Sequence, residues 1–303
     1  MSTSAAATEA EGARSDPAPD QLALGAFAGA VLIGGSNFVA VRFSNRELDP
    51  LWGAGLRFAL AAAVFGVLCA ALRLPLPRGR VLGLVLIYGL LAFAAAYGCL
   101  YWAMQEVPAG VAAVVIAVGP LLTLLLAVAH RMERLNGRAL VGALIAIGGS
   151  VLIFFQPGSA ALGGGSLALL ALAALSAAES VVISKRCGRQ HPVVMNFVGM
   201  SAGAAALLVV ATAAGERLTL PVDGATRIAL GYLVFATVGL FVLVLVVVQR
   251  WTASSTSYVF VLMPVVAVAL GALIADERIT ATTLLGGGIV CAGVYVGALA
   301  RAS

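Results

Sequence analysis

The sequence predicts an all-α membrane protein whose ten transmembrane helices form two inverted five-helix repeats around a central cavity. Three observations lead to this prediction: an apolar composition, ten apolar runs of membrane-spanning length, and an internal repeat. Of the 303 residues, 62% are hydrophobic and 10% are charged, and the mean hydropathy is +1.07. Because soluble domains carry roughly 25% charged residues, this chain is suited to solvation by lipid rather than by water.

Ten apolar runs approach the length of about 20 residues that a helix needs to cross the hydrocarbon core. They do not alternate polar and apolar residues, as the strands of a membrane barrel do. Residues 1–20 lack a basic start and an apolar centre, so they are predicted to be a disordered cytoplasmic tail and not a signal peptide. The predicted spans are 21–42, 52–72, 81–104, 109–130, 138–155, 165–186, 193–214, 228–250, 253–275 and 282–300.

Lysine and arginine are distributed unevenly between the two sets of connecting loops. With the N-terminus inside, the inner segments hold twelve of these residues and the outer loops hold five. Because cytoplasmic loops carry the excess of positive charge, we expect both chain ends in the cytoplasm. The basic residues form no patch or stripe that would bind phosphates, so a nucleic-acid partner is not expected.

The second part of each half repeats without a gap at an offset of 144 residues, which aligns Pro120 with Pro264 and Glu133 with Glu277. A weaker offset of 142 residues aligns Asn37 with Glu179. The predicted repeats cover residues 21–157 and 158–303, and an odd number of spans in each inverts the second copy. Inverted repeats are typical of secondary transporters, because two similar halves give inward-open and outward-open packings of similar energy. Further aligned pairs are Gly142 with Gly286 and Gly149 with Gly293.

Pro120 and Pro264 each lie near the middle of a predicted span. A proline inside a helix removes a backbone hydrogen bond and kinks the helix. The matched pair therefore predicts hinges in spans four and nine, and the alternative is a static kink that only improves packing.

The chain resembles the drug/metabolite transporter superfamily, specifically its ten-helix exporters, and is most similar to bacterial exporters of aromatic amino acids. The resemblance implies a monomer or a weak dimer in the lipid bilayer of the bacterial inner membrane. It also implies a cavity lined by spans 1, 3, 4, 6, 8 and 9, with spans five and ten at the periphery. The glycines of spans five and ten permit close helix contact, inside the monomer or at a dimer face. The resemblance rests on GGSNFVAVR (34–42), PLWGAGLRFALAA (50–62) and the proline–glutamate elements of spans four and nine.

Glu179 is the only acidic residue deep inside a predicted span. A carboxylate in the membrane is costly unless it is paired, protonated or facing water, so it is a functional candidate by default. Three roles stay open: binding the ammonium group of the substrate, relaying a proton, or hydrogen bonding between helices. Asn37 has two possible roles: its amide is a neutral donor and acceptor for a zwitterionic solute, or it forms a hydrogen bond between helices. Arg57 is expected to snorkel to the outer interface rather than to bind a carboxylate.

Aromatic residues are concentrated in span three. Phe93, Tyr97 and Tyr101 follow one another at four-residue spacing, which predicts a shared helix face that stacks an indole or phenyl ring. For Tyr101 and Trp102, near the outer end of the span, an aromatic belt at the membrane interface is the alternative. Spans eight and nine contribute two further candidates for the cavity lining: Phe241 and Tyr258.

The inventory of polar residues does not favour an enzyme. Neither histidine has a partner at metal-ligand spacing, and the phosphate-binding pattern GxxxxGK[ST] does not occur. We therefore expect no metal and no nucleotide or other cofactor. The predicted function is secondary-type export of a small-molecule solute, an aromatic or other apolar amino acid, by alternating access. The alternatives are a multidrug or cationic-compound exporter that uses Glu179, and a passive channel.

Overall fold

The structure is a computed structural model that describes residues 19–103, 106, 115–154, 164–275 and 281–299. Every regular element in these ranges is helical, which confirms the predicted all-α class. The predicted tail up to residue 18, the start of span four at residues 109–114, and Glu277 lie outside the described residues.

The helices of the described ranges follow the ten apolar runs in order. Six of them (α2, α3, α6, α7, α8 and α9) have the length and apolar character of a membrane span, whereas the other four contain shorter apolar stretches. Their bounds are α1 Gln21–Ser44, α2 Pro50–Ala71, α3 Gly79–Ala103, α4 Gly119–Ala129, α5 Gly137–Phe154, α6 Gly164–Arg186, α7 Pro192–Ala213, α8 Gly224–Arg250, α9 Ala253–Ala275 and α10 Ala281–Val294.

Local sequence explains where several helices begin. Pro50 and Pro192 occupy the first turns of α2 and α7, where proline has a suitable φ and its missing N–H is not needed. The ring of His191 accepts a hydrogen bond from the backbone N–H of Val193. Asp223 caps α8 in the same way, because its carboxylate accepts from the N–H of Thr226 at 3.1 Å.

A wider π-helical turn at Leu90–Ala95 interrupts α3. Here the backbones of α3 and α7 approach closely: a Cβ placed on Gly203 would lie 2.8 Å from the carbonyl oxygen of Gly89. A π-helical turn accommodates an extra residue, which shifts the register of the side chains along α3. This shift affects which aromatic side chains reach the centre of the bundle.

Helices of the first half pack mainly against helices of the second half. At equivalent positions, α2 packs against α7, α4 against α9, and α5 against α10. The other large contacts are α1 with α8 and α9, α6 with α3 and α4, and α3 with α7. Exchanging the two halves leaves the set of pairs other than α3 with α7 unchanged, as a two-fold rotation would.

Glycines form the contact between α5 and α10. A Cβ on Gly149 would lie 2.8 Å from the carbonyl oxygen of Gly286, and a Cβ on Gly293 would lie 2.7 Å from that of Gly142. Residue numbers increase in opposite directions along this contact, so α5 and α10 are antiparallel. The glycines thus serve packing inside one chain, and the two contacts exchange under the 144-residue offset.

The helices α2 and α7 are antiparallel as well. A Cβ on Gly55 would lie 2.7 Å from the side chain of Leu208, and a Cβ on Gly66 would lie 2.9 Å from the ring of Phe197. The early part of α2 therefore meets the late part of α7, and the late part of α2 meets the early part of α7.

We expect Gly149→Ala to lower the free energy of unfolding by about 1–3 kcal/mol, because the added methyl group meets backbone atoms of α10. The matched control is Gly148→Ala, since a Cβ at Gly148 meets nothing within 4 Å. Thermal unfolding in detergent micelles measures both variants. Equal stability of the two would contradict the close contact of α5 with α10.

Candidate functional site

A cavity of ≈ 220 Å³ lies between the two halves of the bundle. Its walls come from α1, α2, α3 and α4 of the first half and from α6, α8 and α9 of the second. These helices include all six that were expected to line the cavity, and α2 in addition. Along α6, small side chains make room for the cavity: Ala173, Ala174, Ala177 and Ala178.

Asn37 on α1 contributes an amide to the cavity wall. The residue is only 5% exposed, and neither its Oδ1 nor its Nδ2 has a hydrogen-bond partner among the described residues. An unpartnered buried amide costs about 1–3 kcal/mol, so native structures retain such a group where a ligand or water completes its bonds. Asn37 is therefore the side chain of the cavity that most directly indicates a bound solute.

Arg57 on α2 also lines the cavity and is only 4% exposed. Its Nε donates a hydrogen bond to the hydroxyl of Thr237 on α8 at 2.6 Å. Its guanidinium carbon lies 5.3 Å from the ring centroid of Phe58 and 6.0 Å from that of Tyr97, which allows cation–π attraction. The expectation that Arg57 snorkels to the interface is wrong, because these partners hold the side chain inside the bundle.

Three of the predicted aromatic residues line the cavity: Tyr97, Tyr101 and Phe241. The rings of Tyr97 and Tyr101 are 5.9 Å apart between centroids, and that of Tyr97 packs edge-on against Phe58 at 4.9 Å. They form an aromatic wall that is suited to the side chain of an aromatic solute.

Phe93 is fully buried behind this wall and does not line the cavity. Its ring packs against Phe58 at 5.1 Å, Tyr88 at 5.6 Å and Phe241 at 4.8 Å. The predicted common face with Tyr97 assumed a regular α-helix, whereas Phe93 belongs to the π-helical turn of α3. The ring supports the lining residue Phe241 instead.

Trp102 and Tyr258 also lie outside the cavity wall. Trp102 is 43% exposed on the bundle surface, as an interface residue would be. Tyr258 is buried, and its hydroxyl donates to the carbonyl oxygen of Ala139 at 3.1 Å, which joins α9 to α5. Its placement is therefore that of a packing residue between the cavity-lining α9 and the peripheral α5.

Glu179 contacts another helix rather than the cavity. Its Oε1 lies 3.0 Å from Nε2 of His130 at the end of α4, and Nδ1 of His130 lies 2.8 Å from the guanidinium of Arg186. Its Oε2 is buried without a hydrogen-bond partner in the described part of the chain. Of the three roles left open by the sequence, this geometry corresponds to interhelical pairing. Of the solute contacts that the sequence predicted, Asn37, Tyr97, Tyr101 and Phe241 remain candidates.

The two matched prolines have different backbone surroundings. Pro120 lies in the first turn of α4, where it removes no helical hydrogen bond, and the residues just before Gly119 form a turn. Pro264 lies inside α9, which continues through it. The hinge role of both prolines stays a prediction.

Two residues with small hydroxyl groups line the cavity and were not singled out by the sequence: Thr123 and Ser180. Each hydroxyl donates to a carbonyl of its own helix, as Thr123 does to Gly119 at 2.9 Å. The oxygen lone pairs stay available to a solute. Isolated serines and threonines are common in apolar helices, so their spacing offered no signal.

At the N-terminal face of the bundle, where α1 begins, side chains join the two halves. The carboxylate of Glu133 accepts from the N–H of Ala253 at 2.6 Å and from the hydroxyl of Ser254 at 2.5 Å. It therefore caps the first turn of α9 with a charge-assisted bond. Lys185 donates to the carbonyl oxygen of Trp251 on the same face.

At the opposite face, acidic residues of one half cap helices of the other. Glu216 accepts from the backbone N–H of Trp52 in α2 at 2.6 Å, and Glu47 accepts from the N–H of Val222 before α8 at 2.6 Å. Asp49 pairs with Arg217 at 3.1 Å, and the side-chain hydrogen bond from Arg217 holds the pKa of the Asp49 carboxyl below its ordinary value. Both faces thus carry ties between the halves, and at the face opposite to the start of α1 these ties are reciprocal.

An apolar helical bundle with two similar halves around a cavity is an arrangement found in membrane transporters. The chain belongs to the EamA-like transporter family of the drug/metabolite transporter superfamily: the family profile matches twice, over residues 21–155 and 164–298. This result confirms the resemblance that the sequence motifs predicted.

Several known proteins are similar to this chain. A probable amino-acid metabolite efflux pump of Escherichia coli is 31% identical over 285 residues, covering 88% of this chain and 91% of the relative. The uncharacterized inner membrane transporter YedA of Escherichia coli is 30% identical, covering 91% and 90%. A solved crystal structure, 20% identical, superposes with a TM-score of 0.78 over 91% of this chain and 97% of its own. The last comparison supports the fold.

We expect Asn37→Leu to raise the melting temperature of the solute-free protein, because it removes two unpartnered amide atoms from the cavity wall. The same change should weaken solute binding by about tenfold or more. The control is Asn196→Leu, which changes a buried amide outside the cavity wall and should leave solute affinity unchanged. Unchanged affinity in Asn37→Leu would contradict the proposed solute contact.

Glu179→Gln should leave solute affinity within about twofold of the native value, since the carboxylate contacts His130 outside the cavity wall. Glutamine retains a hydrogen-bonding oxygen toward the imidazole. Equilibrium binding of phenylalanine to the purified variant measures the effect. A loss of affinity as large as that of Asn37→Leu would return Glu179 to the solute site.

Proposed function

We propose that this protein exports amino acids, aromatic and other apolar ones among them, across the bacterial inner membrane by alternating access. The observation that carries the proposal is the cavity between the two halves with the unpartnered amide of Asn37 in its wall. An apolar pocket with few polar groups suits a solute that has an apolar body and a polar end. The relative named as an amino-acid metabolite efflux pump supports amino acids as the solute class.

The aromatic wall supports aromatic side chains within that class. Tyr97, Tyr101 and Phe241 present their rings toward one cavity, and Leu240 and Met263 complete an apolar surface beside them. An indole or phenyl ring is able to stack against such a wall more favourably than a small aliphatic side chain does.

We further propose ten membrane crossings in two inverted repeats, with both chain ends in the cytoplasm. The antiparallel contacts of α2 with α7 and of α5 with α10 support opposite orientations of the two halves. The excess of lysine and arginine in the inner segments supports the orientation. With this topology the N-terminal face is the cytoplasmic face, and the inner membrane location agrees with the description of the relative YedA.

Alternating access then uses the ties between the halves at the two faces. Opening toward the cytoplasm breaks the cap that Glu133 forms on α9, and opening toward the outside breaks the caps of Glu47 and Glu216. Because charge-assisted bonds of the same kind close each face, the two arrangements have similar energies. Bending at Pro120 and Pro264 would accompany the conversion between the inward-open and outward-open arrangements.

A rival proposal is a cationic-compound exporter that binds its solute through Glu179. That mechanism needs the carboxylate in the cavity, whereas Glu179 does not line the cavity and contacts His130 at the end of α4. The other rival is a passive channel. Saturable flux that is accelerated by solute on the far side of the membrane distinguishes a carrier from a channel.

We expect Ala174→Trp to reduce phenylalanine transport in proteoliposomes by about tenfold or more, because Ala174 is buried in the cavity wall and an indole there fills the solute space. The matched control is the neighbouring Leu175→Trp, since Leu175 is 44% exposed on the bundle surface and should tolerate the change.

The same vesicles test the rivals. The native protein should show saturable phenylalanine or tryptophan flux and accelerated exchange. Flux of a lipophilic cation without amino-acid flux would overturn the proposed solute class, and ion-like conductance would overturn the carrier mechanism.

A further inference from the structure

We infer that Arg57 is the carboxylate-binding residue of the central cavity, and that it selects solutes with a carboxylate next to an apolar body over their amine and amide counterparts. The inference rests on the proposed function, because it assigns the solute chemistry of the same cavity. The family match and the similarity to known transporters assign no role to Arg57.

The charge balance of the cavity is the first argument. Arg57 is the single charged residue among its described lining residues, and it is 4% exposed. The groups that contact it are neutral: the hydroxyl of Thr237 and the aromatic faces of Phe58 and Tyr97. A buried charge is costly unless an opposite charge accompanies it. A solute carboxylate supplies that charge, whereas a cationic solute would be repelled.

Acidic residues elsewhere in the described part of the chain are engaged with other partners. Glu47 and Glu216 accept backbone hydrogen bonds at the face opposite to where α1 begins, and Asp49 pairs with Arg217. Glu179 contacts His130 on α4. Among the described residues, none of these carboxylates forms an ion pair with Arg57.

The geometry of the guanidinium is the second argument. The hydrogen bond that orients it uses Nε, which donates to Thr237 at 2.6 Å. The two Nη groups therefore remain for a ligand in the cavity. Paired N–H donors of a planar guanidinium match the two oxygens of a carboxylate, and an anchored guanidinium loses little further freedom on binding.

Asn37 supplies the complementary polar group in the same cavity. Its Oδ1 is free to accept from a solute ammonium group, and its Nδ2 is free to donate to a carboxylate oxygen. The Tyr97, Tyr101 and Phe241 rings then surround the apolar part of the solute. Together these groups match an α-amino acid with an aromatic or large apolar side chain.

The test uses the purified full-length protein in lipid nanodiscs with L-phenylalanine, phenethylamine and phenylalanine amide as probes. The native protein should bind phenylalanine at least about tenfold more tightly than either analogue. Arg57→Gln should weaken phenylalanine binding by about tenfold or more and leave phenethylamine binding unchanged or stronger. Arg57→Lys, which keeps the charge but not the paired donors, should retain part of the preference.

Two controls separate charge recognition from general damage. Arg80→Gln removes an exposed arginine at the start of α3 and should leave the preference unchanged. Thr237→Val keeps the charge of Arg57 but removes the bond that orients it, so it should reduce the preference for phenylalanine. The thermal stability of each variant is measured alongside binding.

The outcomes distinguish this inference from the proposed function. If the native protein binds phenylalanine and phenethylamine equally, the inferred role of Arg57 is wrong, and no variant is needed to show it. The inferred role is also wrong if a folded Arg57→Gln variant keeps the native preference for phenylalanine, or if it loses phenylalanine and phenethylamine binding equally. Either outcome leaves the proposal of amino-acid export unaffected. A native protein that binds and transports no amino acid overturns the proposed function itself.

Discussion

Close packing of the two halves against each other is the constraint on which this structure depends. In lipid, burying apolar side chains contributes little to helix association, so helices are held by tight packing and by hydrogen bonds. Glycines provide the tight contacts here, as where Gly142 faces Gly293 and Gly149 faces Gly286. The close backbone contact of α5 with α10 makes this peripheral interface tight, whereas alanines of α6 leave a cavity at the centre.

The placement of polar groups follows from this arrangement. At both faces, carboxylates such as Glu133 and Glu216 satisfy backbone N–H groups at helix starts in the other half. Inside the bundle there is no water-like surrounding to solvate a charge or an amide. Arg57 and Asn37 are nevertheless held in the cavity wall with neutral or no partners, a cost that the proposed zwitterionic solute would offset.

Individual site residues were harder to assign than the helices that carry them. The spacing of Phe93, Tyr97 and Tyr101 assumed a regular helix, but the π-helical turn buries Phe93 behind the cavity. Glu179 was singled out because a lone carboxylate in a span has no partner in its own helix. Its partner His130 lies at the end of another span, and only packing brings the two together.

The sequence by itself determined the apolar class, the order and approximate bounds of the helices, and the duplication, because each depends on local composition or on comparison within the chain. It also identified the helices around the cavity through the family resemblance. The tertiary structure alone decided that Arg57 lies in the cavity, because the hydroxyl of Thr237 that holds it is on α8. An arginine near the end of a span has the same local sequence whether it reaches the membrane surface or a buried partner, so the distinction depends on neighbours that are distant along the chain.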